Sequence, residues 1–178
     1  KEPISFFIKV FLLEEHVTAE LNLEAKRKNE LKNFLKVQKL KFNDLELLDL
    51  ALSHRSFANE KATGAGNNEK LEFLGDSVLG LIITEFLYRN YSALNEGDFA
   101  RVKSFVVSEE MLSAQGRNIG LNKLIKIGHG EEMTGGREKK AIIADAFEAF
   151  LGAMYIDSKY SHVGQLIIST RLSRIPSA

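Results

Sequence analysis

The sequence predicts an all-α domain, and three observations carry that expectation. The only prolines are Pro3 and Pro176, one near each end, so nothing between them forbids a helix. Apolar residues recur at spacings of three and four, while strict two-residue alternation is absent over any useful length. Polar residues with helix-capping character stand directly before several of these runs.

Taken in order, ISFFIKVFLL (4–13) is too short and, with Lys9 in its middle, too polar to span a bilayer. Glu14 and Glu15 follow it where a signal peptide would need small residues, so an extra N-terminal docking helix is expected. Residues 19–37 place Leu21, Ala25, Leu31, Phe34 and Leu35 among many charges, as one or two amphipathic helices would. Asn43 and Glu46 have capping-box spacing ahead of LELLDLALSH. KATGAGNN (61–68) reads as a loop whose Asn67 or Asn68 caps a helix beginning EKLEFLGD. Asn95 is the expected cap of a helix through FARVKSFVV, and Ser108 of one through SEEMLSAQ. IGHGEEMTGGREKK (127–140) reads as a glycine-rich, charged loop. AIIADAFEAFLGAMYID (141–157) is the most apolar helix, and a last one is expected over about 161–173.

The 178 residues suffice for one domain with a core, or one domain plus an extension. Formal charge is zero, so nucleic acid would have to be held by local patches or through metal. There is no cysteine, which excludes a disulfide framework and any thiolate metal site and fits a reducing cytoplasm. The first residue is Lys rather than Met, as expected of a trimmed or partial chain.

Two segments carry chemistry. In NNEKLEFLGDSVLG (67–80), Glu69, Glu72 and Asp76 fall within an arc of about 60° on a helix, where like charges repel. Gly80 lies one turn beyond Asp76 on that face. In 141–156 the only charged residues are Asp145 and Glu148, sharing a face with Ala141, Ala149 and Gly152 while Phe147 and Phe150 gather opposite. So apolar a helix is buried almost all round, and buried carboxylates must be paired, hydrogen-bonded or metal-bound. Glu69 alone needs no such explanation, since an acid suits a helix N-terminus. A hard divalent cation between the two helices resolves the charge conflict. Oxygen-only ligands favour Mg²⁺, or Mn²⁺, over Zn²⁺.

These segments resemble the ribonuclease III family: NNEKLEFLGDSVLG its signature helix, and AIIADAFEAFLGAMYID its second metal-binding helix. LSHRSFANE (52–60), EGDFARVKSFVVSEEML (96–112) and LIKIGHGEEMTGGREKK (124–140) resemble it too, in the family's order. The resemblance covers about residues 30–160 and implies a helical endonuclease domain, a homodimer that cuts double-stranded RNA with Mg²⁺, leaving 5′-phosphate and 3′-hydroxyl ends. It implies an N-terminal helical extension over 1–28 and an endonuclease domain over 29–175. Glu72, Asp76, Asp145 and Glu148 match its metal-binding acids, Asp76 and Glu148 its catalytic positions, and Glu69 an auxiliary, substrate-facing acid. Phe73 matches an aromatic that plugs a socket on the other subunit, and its place about 40° from Glu69, among acids, agrees. Bacterial members usually continue into a double-stranded-RNA-binding domain, which is not visible before the chain ends at RLSRIPSA.

His54 in SHRS suits a helix-end hydrogen bond, and TGGREKK is not a phosphate-binding GxxxxGK[ST] loop. Its Arg137, Lys139 and Lys140 are open to two readings, phosphate contact or plain solvation. Two rival functions remain. An all-α NTP pyrophosphohydrolase also pairs acids on helices, but close together in sequence, whereas about 70 residues separate these pairs. A catalytically silent RNA-binding homologue would not need all four acids.

Overall fold

The computed structural model describes residues 24–61, 66–158 and 163–164. The chain divides into two compact units, Lys1–Leu40 and Lys41–Ala178. In the first, one helix (α1) runs over residues 24–38, and Leu31, Phe34 and Leu35 are its buried positions. The boundary expected after residue 28 falls inside this helix. The helix expected over 4–13, residues 19–23 and most of the one over 161–173 lie outside the described residues.

The second unit is helical, as the sequence predicts. Among the described residues it has no strand, only a single parallel bridge between Ser53 and Lys126. Its helices are α2 (Leu45–Ala51), α3 (Arg55–Glu60), α4 (Glu69–Asn90), α5 (Glu96–Val106), α6 (Glu109–Asn118), α7 (His129–Met133) and α8 (Lys140–Ser158). α8 is the central one: Ile143, Ala146, Phe147, Ala149, Phe150, Leu151 and Ala153 are fully buried, with α2, α4 and α6 packed around it. Phe42, just ahead of α2, stacks on Phe150 with ring centroids 6.1 Å apart.

Local signals placed most helix starts. Asn95 forms a capping box with Asp98, and the Ser108 hydroxyl accepts from the Met111 amide. At α2 the cap differs from expectation: Asp44, not Asn43, accepts from the amides of Glu46 and Leu47. Asn43 instead donates its backbone amide and its side chain to Asp157 at the far end of α8. Both residues are good caps in isolation, and a carboxylate 114 residues away decides between them. At α4, Asn67 rather than Asn68 caps through its side chain, which accepts from the Glu69 amide. Two short helices were not expected. α3 breaks off from the end of LELLDLALSH, with His54 as its N-cap accepting from the Ser56 amide at 3.2 Å. α7 folds inside the glycine-rich loop because the Glu60 carboxylate accepts from the amides of His129 and Gly130.

The basic residues of this loop are taken up by partners within the domain. Arg137 pairs with Glu132 and donates to the Ile125 carbonyl, Lys139 pairs with Glu131, and Lys140 with Glu110. Arg137 acts as an internal latch.

Candidate metal centre

The site exists because two backbones come unusually close. A Cβ on Gly75 of α4 would lie 1.8 Å from the Glu148 carbonyl oxygen of α8. One on Gly152 would lie 2.2 Å from the Leu71 carbonyl oxygen. Each glycine is an absence that lets the other helix in. The smooth strip anticipated on α8 is therefore real at Gly152, but its counterpart on α4 is Gly75 and not Gly80. Gly80 faces Lys103 of α5, whose ammonium would stand 3.2 Å from a Cβ there.

At this crossing, carboxylate oxygens of Glu72, Asp145 and Glu148 lie within 4.8 Å of one another. Asp76, one turn along α4, is outside that trio and exposed, yet its charge is the strongest of those acting on Glu148. Glu69 is exposed and does not join: it accepts from the Asn67 side-chain amide and lies 3.8 Å from the Arg55 guanidinium. Phe73 is 80% exposed on the same helix.

Electrostatics mark the trio as strained. Burial, followed by the charges of Asp76, Glu72 and Asp145, pushes the Glu148 carboxyl up to about 8. Burial, then the charges of Asp145 and Glu69, raises Glu72. Burial, then Glu109 at the start of α6, raises Asp145. Only Arg55 opposes the last two shifts. Arg55 and Glu109 are the site neighbours that sequence reasoning missed. Glu109 looks like an ordinary first-turn acid, and Arg55 reaches the site from a helix that the sequence did not announce.

The trio fits a hard divalent cation. Its donors are all carboxylate oxygens, and the uncompensated repulsion that raises Glu148 is what a bound cation would remove. A pH test follows. A carboxyl whose pKa is higher folded than unfolded stabilises the fold below the unfolded value of about 4.5. That contribution is lost as pH climbs through about 8. Metal-free protein should therefore lose roughly 1–2 kcal/mol relative to Glu148→Gln between pH 5 and 8.5, a few degrees in Tm, discounted for the group's partial exposure. Thermal melts of both proteins in chelator check this. Parallel pH dependence would show that Glu148 is not strained.

An all-α domain with a carboxylate-only site at the crossing of its two most apolar helices is a narrow class. The Ribonuclease-III-like family model matches residues 44–175. Ribonuclease 3 of Treponema denticola is 50% identical over 155 residues, covering 87% of this chain and 63% of that protein. Ribonuclease 3 of Borreliella burgdorferi is 46% identical over 142 residues, covering 80% of this chain and 58% of that protein. The chain thus spans about three fifths of the length of these curated relatives. The solved nuclease domain of Campylobacter jejuni ribonuclease III superposes with a TM-score of 0.75 at 31% identity, covering 83% of this chain and 99% of that one. The Dicer of Pichia stipitis shares the fold alone, with a TM-score of 0.54 at 24% identity. The chain belongs to the ribonuclease III family. Among the described residues, no helix is long and apolar enough to cross a membrane.

Proposed function

We propose that this chain is the nuclease domain of a Mg²⁺-dependent endoribonuclease that hydrolyses double-stranded RNA to 5′-phosphate and 3′-hydroxyl ends in cytoplasmic rRNA and mRNA processing. The observation that carries the reading is the trio of Glu72, Asp145 and Glu148, brought within 4.8 Å from two helices about 70 residues apart in sequence. Mn²⁺ is the natural substitute ion, since it accepts the same oxygen donors.

The residues divide the work. Glu72, Asp145 and Glu148, with Asp76 beside them, would hold the cation, which supplies Lewis-acid stabilisation of charge at the phosphate. Asp76 is exposed at the edge of the trio, where an acid can accept a hydrogen bond from an attacking water and orient it. Glu148, whose carboxyl burial and the neighbouring acids push up to about 8, would hold the cation as a carboxylate, its proton passing to solvent. Glu69, at the exposed mouth, faces substrate. Duplex would be distinguished from single strands by shape and by 2′-hydroxyl contacts across the wide minor groove.

A cleavage assay tests the reading. Duplex RNA, single-stranded RNA and NTPs are each incubated with the chain, with Mg²⁺ or with chelator. Cutting of duplex RNA alone, and only with Mg²⁺, is the expected result. Hydrolysis of NTPs would favour the pyrophosphohydrolase, and binding without any cutting the silent homologue.

The Campylobacter structure is described as having a region involved in dimer formation. We extend a two-fold dimer to this chain because Phe73, Leu81 and Tyr88 form an exposed apolar stripe along α4, 80%, 59% and 78% exposed. Burying Phe73 in the partner is worth on the order of 1.5–3 kcal/mol per side, and a two-fold axis counts it twice. Phe73→Ala should shift the chain toward monomer and abolish paired, staggered cuts. Sedimentation of both proteins at micromolar concentration decides, and a monomeric wild type or an unchanged dimer would refute the role.

A further inference from the structure

The acidic edge of α4 is closed at each end by a cation from another helix. At its start, Arg55 of α3 lies 3.8 Å from Glu69, with both side chains more than half exposed. At its far end, the Lys103 ammonium of α5 rests against Gly80, where a Cβ would stand 3.2 Å from it. From Glu69 to Gly80 is eleven residues of helix, about 16 Å, with Glu72 and Asp76 between.

Neither cation has a strong structural commitment. An exposed ion pair at 3.8 Å contributes about 0–1 kcal/mol, so Arg55 can leave Glu69 at little cost. Its charge also reaches Glu72 and Asp145, lowering both carboxyls, so it stands within electrostatic range of the trio. Among the described residues, no carboxylate lies within ion-pair distance of Lys103, although its stem is half-buried. The basic residues of the 137–140 loop contrast with this, since each is paired with an acid. A polyanion approaching a cluster of acids on a chain of zero net charge needs positive charge placed beside the reacting phosphate.

We propose that Arg55 and Lys103 form a two-point clamp that holds the RNA backbone phosphates on either side of the one being cut, lining the strand up along α4. The proposal rests on the nuclease reading above.

The test compares the wild-type chain with Arg55→Gln, Lys103→Gln, the double variant, Lys103→Arg and Gly80→Ala. Steady-state cleavage of a short duplex RNA in Mg²⁺ is read beside duplex binding as a function of salt. Each Gln variant should raise KM several-fold with kcat changed less than about threefold. Each should also flatten the dependence of log affinity on log salt by about one unit. Lys103→Arg should keep binding near wild type, and Gly80→Ala, which the flexible end of Lys103 accommodates by a shift of a few tenths of an ångström, should leave KM and melting temperature close to wild type. Unchanged KM and salt slope in both Gln variants would overturn the clamp. So would a loss confined to kcat and matched by weaker Mn²⁺ binding, which would place these cations in service of the trio. Should the wild type bind duplex without cutting it, the nuclease reading fails while the salt slopes still decide the clamp. A wild type that does not bind duplex overturns both.

Discussion

Glu148→Gln should lower duplex-RNA cleavage by about 10³-fold or more while leaving duplex binding within a few-fold of wild type. The change is nearly isosteric and removes one charge from the trio, so the fold has no reason to fail. Glu148 is the residue on which the site converges: burial raises it, and the charges of Asp76, Glu72 and Asp145 raise it further. Neutralising it relieves that repulsion, so the metal-free variant should be more stable than wild type at pH 8.5 although it is inactive. Gain of stability with loss of activity is the signature of a group whose strain serves function. Cleavage rates, duplex affinity and chelator melts on one pair of proteins separate the outcomes. A variant that cuts at more than a tenth of the wild-type rate would remove Glu148 from the mechanism.

Gly75→Ala should be the most damaging single methyl in the molecule. Its Cβ would stand 1.8 Å from the Glu148 carbonyl oxygen and 2.5 Å from the carbonyl carbon, both backbone atoms that no rotamer change can move. α4 and α8 must separate by more than about 1 Å, at a cost of about 3 kcal/mol. Because Glu72 and Glu148 flank this contact on opposite helices, separation also spreads the trio. Denaturant unfolding should show the loss, and Mn²⁺ titration a weakened site in the fraction that still folds. Gly80→Ala is the control, since only the flexible end of Lys103 opposes it. Equal stability of the two variants would mean that the helices do not pack through Gly75.

The central carboxylates were legible in the sequence because they break a pattern. Asp145 and Glu148 are the only charges between Ala141 and Ile156, a stretch otherwise apolar all round, and the structure buries Ala144, Ala146, Phe147 and Ala149 around them. The caps at Asn95 and Ser108 were legible because capping is decided within four residues. What escaped was decided at long range. Asn43 and Asp44 are equivalent caps until Asp157, which accepts from both their amides, also takes the Asn43 side chain. Gly75 and Gly80 both sit on α4, and only the packed α8 tells which one must lack a side chain. Asp76 shares a helical face with Glu72, yet the trio closes without it, and only the packed α8 shows which of the two faces Asp145 and Glu148. The 127–140 loop carries enough glycine to read as irregular, but the Glu60 carboxylate organises α7 within it. Arg55 could not be tied to the acids from sequence, because α3 brings it there.

The most direct test of the account is to locate a bound ion. A crystal of the protein grown with Mn²⁺ and measured at the manganese edge should give an anomalous peak coordinated by oxygens of Glu72, Asp145 and Glu148. The same crystal of Glu148→Gln should show that peak weakened or lost. A clear peak elsewhere in the domain, or none at millimolar Mn²⁺ in the wild type, would contradict the assignment of this crossing as the metal centre.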